Sequence, residues 1–277
     1  MTYGKTIEMF LVDGDADGIV TAELSNWNGK AIKIPRTEVA DCERDDIRNV
    51  GVYFLFGNDQ DVETAYIGES EDVLKRLKQH LNDNEYWTCA VAFTSSSLDK
   101  ALIRYLEHEL VDMAKECGRD KVLTQNTYET HLQESQKASM AEFIDNVKVL
   151  LSALNFRVLT PMPKPTEHTV TLFCGNSKSK DPNRHADGKG FMSPSGFTVM
   201  QGSQVAHEVV PSLKTKGRCY CKLRERLVAD GTIVDDIFTR DYEFSSPSAA
   251  SAVILGRTSN GNVDWKTKKG VKLGEME

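Results

Sequence analysis

Five polar side chains of the types used in phosphodiester cleavage occur between residues 53 and 107 of this chain. They are two phenols, a guanidinium, an imidazole and a carboxylate: Tyr53, Tyr66, Arg76, His80 and Glu107. Cleavage needs an activated water, relief of charge on the phosphoryl oxygens and help for the leaving oxygen. A carboxylate can hold a divalent cation, and a guanidinium can bind a phosphate through its planar fork. The five side chains are thus of the types that cleavage of a phosphodiester at a metal ion needs.

The two tyrosines fall in short strand-like runs, each beside a glycine. Residues 51–57 form the first run and residues 64–68 the second, with an acidic, turn-prone stretch at 58–61 between them. This pattern predicts two neighbouring antiparallel strands. A third strand is predicted over residues 87–93.

The other three side chains fall on predicted helices. Ser70 is the expected cap of the first helix. Arg76 and His80 are four residues apart on that helix, so they share one face. Glu107 lies in a second helix, predicted over residues 98–117.

In this combination and order the residues resemble the GIY-YIG nuclease family. The family's first motif appears as Gly51-Val52-Tyr53, with valine in the middle position, and its second motif as Tyr66-Ile67-Gly68. The arginine and histidine of the family's first helix match Arg76 and His80. Its metal-binding glutamate, in a Leu-Glu-x-x-Leu context, matches Glu107.

The resemblance covers about residues 50–160, and its final asparagine matches Asn126. A wider resemblance extends to a bacterial subgroup of these nucleases, whose members carry a C-terminal domain of unknown function. It rests on the N-terminal stretch through Asn26-Trp27 and on C-terminal residues that include Phe244-Ser245-Ser246-Pro247, Leu255-Gly256-Arg257 and Trp265.

The resemblance implies an endonuclease that uses Mg²⁺ or Mn²⁺, with DNA as the expected substrate. Tyr53 would be the general base, Tyr66 would orient the water or the phosphate, and Arg76 would stabilise charge in the transition state. Glu107 would hold the metal, and His80 would share in proton handling; Asn126 completes the implied catalytic set. A phenol with an ordinary pKa of about 10 is a poor base at neutral pH. We therefore expect the metal, Arg76 or another neighbour to make Tyr53 more acidic.

The predicted fold class is α+β with three parts. Residues 1–48 form a β-rich N-terminal segment, and residues 49–160 form a GIY-YIG-like domain with a three-stranded antiparallel sheet flanked by helices. Residues 166–277 form a smaller α+β domain that is a candidate for binding nucleic acid or a partner. The proline-rich stretch at 161–165 marks the last boundary.

Composition narrows the class of protein. The six cysteines include no Cys-x-x-Cys pair, so we expect reduced thiols rather than a zinc ribbon. No apolar run approaches membrane-spanning length, and the chain does not begin with a signal-peptide pattern. We therefore expect a cytoplasmic protein with no membrane partner.

The net charge of −7 is unevenly distributed. Residues 161–277 hold 17 basic and 13 acidic residues, whereas residues 1–160 hold 17 and 28. The basic C-terminal third is consistent with a surface that holds nucleic acid and equally with ordinary surface chemistry, because it has no dense lysine and arginine cluster.

Two alternatives stay open at the level of the sequence. Glu107 and Glu109 both have apolar helical neighbours, so spacing alone does not choose between them, and only the resemblance favours Glu107. The second alternative concerns function. The chain would be a catalytically silent nucleic-acid-binding or protein-interaction module that retains the nuclease fold.

Overall fold

The computed structural model describes residues 4–59, 62–83, 86–125, 127–176, 181–211, 213 and 218–276. The chain divides into two compact units, Met1–Pro161 and Met162–Glu277. Both units contain helices and strands, so the fold class is α+β. No helix in the described ranges combines the length and the apolar character that a membrane span requires.

The first unit is built on one seven-stranded sheet with the strand order β1-β2-β3-β6-β4-β5-β7. Every neighbouring pair is antiparallel except β5 and β7, which are parallel. The strands are β1 (Ile7–Leu11), β2 (Val20–Leu24), β3 (Gly29–Pro35), β4 (Gly51–Asp59), β5 (Val62–Ser70), β6 (Trp87–Ser95) and β7 (Lys121–Val122).

The sheet is larger than the three antiparallel strands expected from the sequence. Those three are present as neighbours in the order β6-β4-β5, but β3 pairs with β6 along seven residues and brings β1 and β2 with it. The three strands before residue 36 therefore belong to the same sheet, and the stretch 1–48 belongs to the same unit. Burial explains the addition, because Ala31, Ile32 and Ile34 of β3 are fully buried.

Helices cover both faces of this sheet. On one face, α1 (Arg36–Val39) and α2 (Val73–Asp83) pack over Tyr53 and Leu55. On the other face, α3 (Lys100–Cys117) and α4 (Glu134–Ala153) pack over a larger apolar core. Alternate residues of β4 therefore point into two different cores, one on each face of the sheet.

Local capping sets the ends of the helices that carry the candidate site. The Asp72 carboxylate accepts the N–H of Lys75 at 3.0 Å, so Asp72 caps α2, and Ser70 instead accepts the N–H of Asp72. Asp99 caps α3 by accepting the N–H of Leu102 at 2.9 Å. The same helix ends at Gly118, whose φ of 61° suits glycine.

A carboxylate at the end of α3 makes the stability of the first unit depend on pH. Burial raises the pKa of Asp120 to about 6, and the negative charge of Glu63 adds to the shift. The native state thus keeps a proton that an unfolded carboxyl loses near pH 4, so the free energy of unfolding falls as the pH rises from about 4 to 6.

Asp120→Asn is expected to raise the free energy of unfolding by about 1–2 kcal/mol at pH 7.5 and to change it little at pH 4, because asparagine carries no charge. Urea unfolding at the two pH values measures this. Glu116→Gln, at an exposed carboxylate of the same helix, is the control. Equal effects of Asp120→Asn at both pH values would contradict the account.

The second unit has its own core beneath a four-stranded sheet with the order β13-β10-β9-β8. Its strands are β8 (Leu172–Gly175), β9 (Asp187–Ser193), β10 (Gly196–Val199) and β13 (Tyr242–Phe244), and β11 (Ile233–Val234) and β12 (Ile237–Phe238) form a separate hairpin. Its helices are α5 (Arg218–Ala229), α6 (Pro247–Leu255) and α7 (Gly261–Asp264). From Ala249 to Leu255, α6 is entirely buried, and the core around it includes Phe197, Phe238, Phe244 and Trp265.

Candidate active site

The two tyrosines of the motifs lie on adjacent strands and face the same side of the sheet. Tyr53 on β4 is directly opposite Gly68 on β5, and Tyr66 is opposite Leu55, two residues along β4. The ring centres of Tyr53 and Tyr66 are 6.2 Å apart. A Cβ atom at Gly68 would lie 2.5 Å from the Tyr53 phenol oxygen, so the glycine of the second motif provides the space for that hydroxyl.

Helix α2 brings an imidazole against both phenols. His80 Nε2 lies 2.9 Å from Tyr53 Oη, at hydrogen-bonding distance, and the His80 ring centre is 5.2 Å from that of Tyr66. His80 is only 3% exposed and Tyr53 only 1%. The contact is therefore shielded from water, and a proton can pass along it between the two side chains.

Arg76 lies one turn before His80 and interacts with both phenols. Burial lowers the pKa of the guanidinium, but hydrogen bonding to Tyr53 and attraction to Tyr66 outweigh it and raise the pKa. Arg76 Nη1 also donates to Gln79 Oε1 at 3.0 Å. A permanently charged donor is thus held beside the two hydroxyl groups, where it can bind a phosphate.

The Tyr53 phenol is less acidic than an ordinary phenol. Burial raises its pKa, the neighbouring Tyr66 adds to the rise, and Arg76 opposes it without reversing it. With a pKa above the ordinary value of about 10, this phenol keeps its proton at neutral pH. Tyr53 acts as a base only if its own proton leaves as it gains one, and the His80 nitrogen at 2.9 Å is in position to accept that proton.

Glu107 lies on α3, which packs on the other face of the sheet, and it interacts with Glu69 near the end of β5. Glu107 is half-buried. Burial raises its pKa to about 7, repulsion by Glu69 adds to the rise, and Arg104 and Arg76 lower it. The attraction to Arg76 is the smallest of these effects.

Glu109, the alternative left open by the sequence, interacts with different groups. Burial raises the pKa of the Tyr105 phenol on the same helix, and the nearby carboxylate of Glu109 adds to the rise through charge and a hydrogen bond. None of the described contacts of Glu109 involves Tyr53, Tyr66 or His80. Arg76 acts on Glu107, whereas Glu109 acts on Tyr105, and Glu107 stays the predicted metal ligand.

Asn126 lies outside the described residues. The chain just before it is fixed to β5 by Thr124, which is buried. Its hydroxyl accepts the N–H of Ile67 at 2.9 Å and donates to the C=O of Ile67 at 2.7 Å. These two bonds hold the edge of the strand that carries Tyr66.

Three residues near the site, Glu69, Gln79 and Arg104, were not identified from the sequence. Glu69 directly follows the second motif, and its Oε1 lies 3.7 Å from the Nε of Arg104. Gln79 receives the hydrogen bond from Arg76. Two of the three had a usable signal, since Glu69 adjoins a motif and Gln79 lies one helical turn beyond Arg76.

The donor groups fit a hard divalent cation. Glu107 and Glu69 offer carboxylate oxygens only, and burial, with a smaller contribution from the charge of Glu69, makes a negative charge at Glu107 unfavourable. A cation held by Glu107 would offset that negative charge. In the part of the chain that the structure describes, no three His, Cys, Asp or Glu side chains gather as a complete cage. Mg²⁺ suits this arrangement because it binds one or two carboxylates and keeps several waters.

Comparison with known proteins bears on the second unit. Residues 180–277 match the model of a domain of unknown function, DUF4357. No curated protein and no solved structure matches the chain. The chain is therefore similar to that domain family over its last 98 residues, and this similarity assigns no activity.

Proposed function

We propose that the protein is a metal-dependent endonuclease of the GIY-YIG type that hydrolyses phosphodiester bonds in DNA. The observation that carries the proposal is the hydrogen bond between the buried Tyr53 hydroxyl and His80, with Tyr66 and Arg76 beside it. Four polar groups of these types, together with a carboxylate that interacts with Arg76, match the needs of phosphoryl transfer to water.

The residues divide the work of hydrolysis. Arg76 binds the non-bridging oxygens of the scissile phosphate and stabilises the charge that grows on them. Tyr53 takes a proton from the attacking water while its own proton passes to His80 Nε2. The water oxygen then forms a bond to phosphorus, and the bond from phosphorus to the sugar oxygen breaks. Tyr66 orients the water or the phosphate from the neighbouring strand.

The carboxylates serve the metal. Glu107, with Glu69 beside it, would hold Mg²⁺ or Mn²⁺. When bound, the cation supplies Lewis-acid stabilisation of the charge on the phosphoryl and leaving oxygens. The low exposure of Tyr53 and His80 keeps bulk water away from the transfer of the Tyr53 proton to His80.

Incubation of supercoiled plasmid with the purified protein tests the proposal. We expect nicked or linear plasmid with Mg²⁺ or Mn²⁺ and none with excess EDTA, and activity should return when the metal is restored, because the metal is required for charge stabilisation. Linear DNA with branches or mismatches extends the substrate range. A well-folded protein that cleaves none of these with either metal would favour the silent binding module.

A further inference from the structure

A groove of about 480 Å³ lies along the outer side of α2, next to the candidate active site. Three of its lining residues are cations, two are amides, one is acidic and one is apolar: Arg48, Lys75, Lys78, Gln79, Asn82, Asp72 and Leu74. Its volume is in the range of small-ligand pockets in proteins.

The arrangement of the lining follows from the helix. Lys75, Lys78, Gln79 and Asn82 are spaced i, i+3, i+4 and i+7, so they form one stripe. At 1.5 Å per residue the stripe is about 10 Å long, which is the axial rise of about three nucleotides of one strand. Arg48, from the segment before β4, lines the same groove.

The cations in this groove are available to an anion. Lys75 and Arg48 are exposed and Lys78 is half-exposed. Among the ion pairs of the described residues, none involves Arg48, Lys75 or Lys78. The Asp72 carboxylate is the one acidic group of the lining, and it caps α2 by accepting the N–H of Lys75.

The three cations of the groove lie in a part of the chain that is acidic as a whole. Residues 1–160 hold 28 acidic and only 17 basic residues. A surface of that charge repels a polyanion, so a nucleic acid can approach only where cations are grouped. Three unpaired cations lining one groove of an acidic unit form such a place.

A hydrogen bond joins the groove to the active site. Gln79 lines the groove and accepts from Arg76 Nη1 at 3.0 Å. We propose that the groove binds the phosphodiester backbone beside the scissile phosphate, with Arg48, Lys75 and Lys78 on the phosphates and Asn82 donating to phosphate or sugar oxygens. This inference rests on the proposed function, because it places the cleaved phosphate on Arg76.

Fluorescence anisotropy in EDTA measures binding without turnover. The probes are a fluorescein-labelled 20-base-pair DNA duplex and a single-stranded RNA of the same length. For the triple variant Arg48→Gln, Lys75→Gln, Lys78→Gln we expect at least about tenfold weaker binding at 0.1 M salt. The slope of log affinity against log salt should become shallower by about 2 to 3, because three phosphate contacts are lost. Loss for both probes indicates backbone recognition, and loss for one only identifies the form of nucleic acid that the groove fits.

The control carries the same change of charge elsewhere on the first unit, at three exposed cations: Lys115→Gln, Lys137→Gln, Arg157→Gln. Its affinity and salt slope should stay close to those of the natural protein. Three results would overturn the proposed role of the groove. They are unchanged binding by the groove variant, equal losses of binding in both triple variants, and no binding by the natural protein. If the natural protein cleaves plasmid and the groove variant binds normally, the groove proposal is refuted and the endonuclease proposal stands. Lost binding by the groove variant in a protein that cleaves nothing would refute the endonuclease alone.

Discussion

Glu107→Gln should lower metal-dependent cleavage at least about 10³-fold, because it removes the carboxylate that would hold the cation. Charge stabilisation by a bound metal contributes several kcal/mol to such a reaction, and each 1.4 kcal/mol is a factor of ten in rate. The variant should fold normally. Burial and Glu69 make a charge at position 107 unfavourable, as the raised pKa of about 7 shows, so a neutral amide relieves repulsion.

The matched control is Glu109→Gln, two residues along the same helix and also half-buried. It removes one carboxylate near Tyr105, outside the cluster of Tyr53, Tyr66 and His80. Initial rates on plasmid over a range of Mg²⁺ concentrations, with thermal melting of each variant, make the comparison. Full cleavage by Glu107→Gln, or an equal loss of cleavage in Glu109→Gln, would show that Glu107 is not the metal ligand.

Local patterns anticipated the elements that carry the site. Glycine and tyrosine in short apolar runs predicted β4 and β5, and the structure pairs them antiparallel. Helix α3 was predicted over 98–117 and extends over Lys100–Cys117, because Gly118 accepts the left-handed conformation that ends it. These features depend on neighbours within a few residues, which a sequence displays directly.

Long-range pairing was not anticipated. Whether β3 lies beside β6 depends on contacts between residues about sixty positions apart, such as Ile32 with Ala92. No local pattern encodes that pairing, so residues 1–48 were assigned to a separate segment. The cap of α2 was missed for a smaller reason. Ser70 and Asp72 are both good caps, and only the turn geometry selects Asp72.

In the candidate site, too, the sequence predicted local features but not those that depend on the folded chain. Spacing placed Arg76 and His80 on one face of a helix, and both interact with Tyr53. The pKa values of the site residues could not be predicted from the sequence, because a pKa depends on burial in the folded chain. In the folded chain burial raises the pKa of Tyr53, and Arg76 lowers it, as expected, without reversing the rise. Glu69 and Arg76 likewise act on Glu107 only in the folded chain, so helical spacing could not show their effect on its pKa.

Tyr53→Phe should lower the cleavage rate by roughly 10² to 10⁴-fold, the range expected when a group that transfers a proton is removed. The substitution keeps the buried ring and removes only the hydroxyl that meets His80 at 2.9 Å. It costs about 1 kcal/mol of folding stability, as for one buried hydrogen bond. Nucleic-acid binding in EDTA should be unchanged, because Arg76 and the groove cations remain.

Three measurements separate catalysis from packing: the rate with Mg²⁺, the affinity in EDTA and the free energy of unfolding by urea. Tyr105→Phe, which removes a half-buried phenol oxygen near Glu109, is the control and should leave the rate unchanged. If Tyr53→Phe cleaves at the natural rate while its unfolding free energy falls, the contact between Tyr53 and His80 only stabilises the fold. If the rate falls and the affinity does not, proton transfer through Tyr53 to His80 explains why a phenol with a raised pKa lies at the centre of this site.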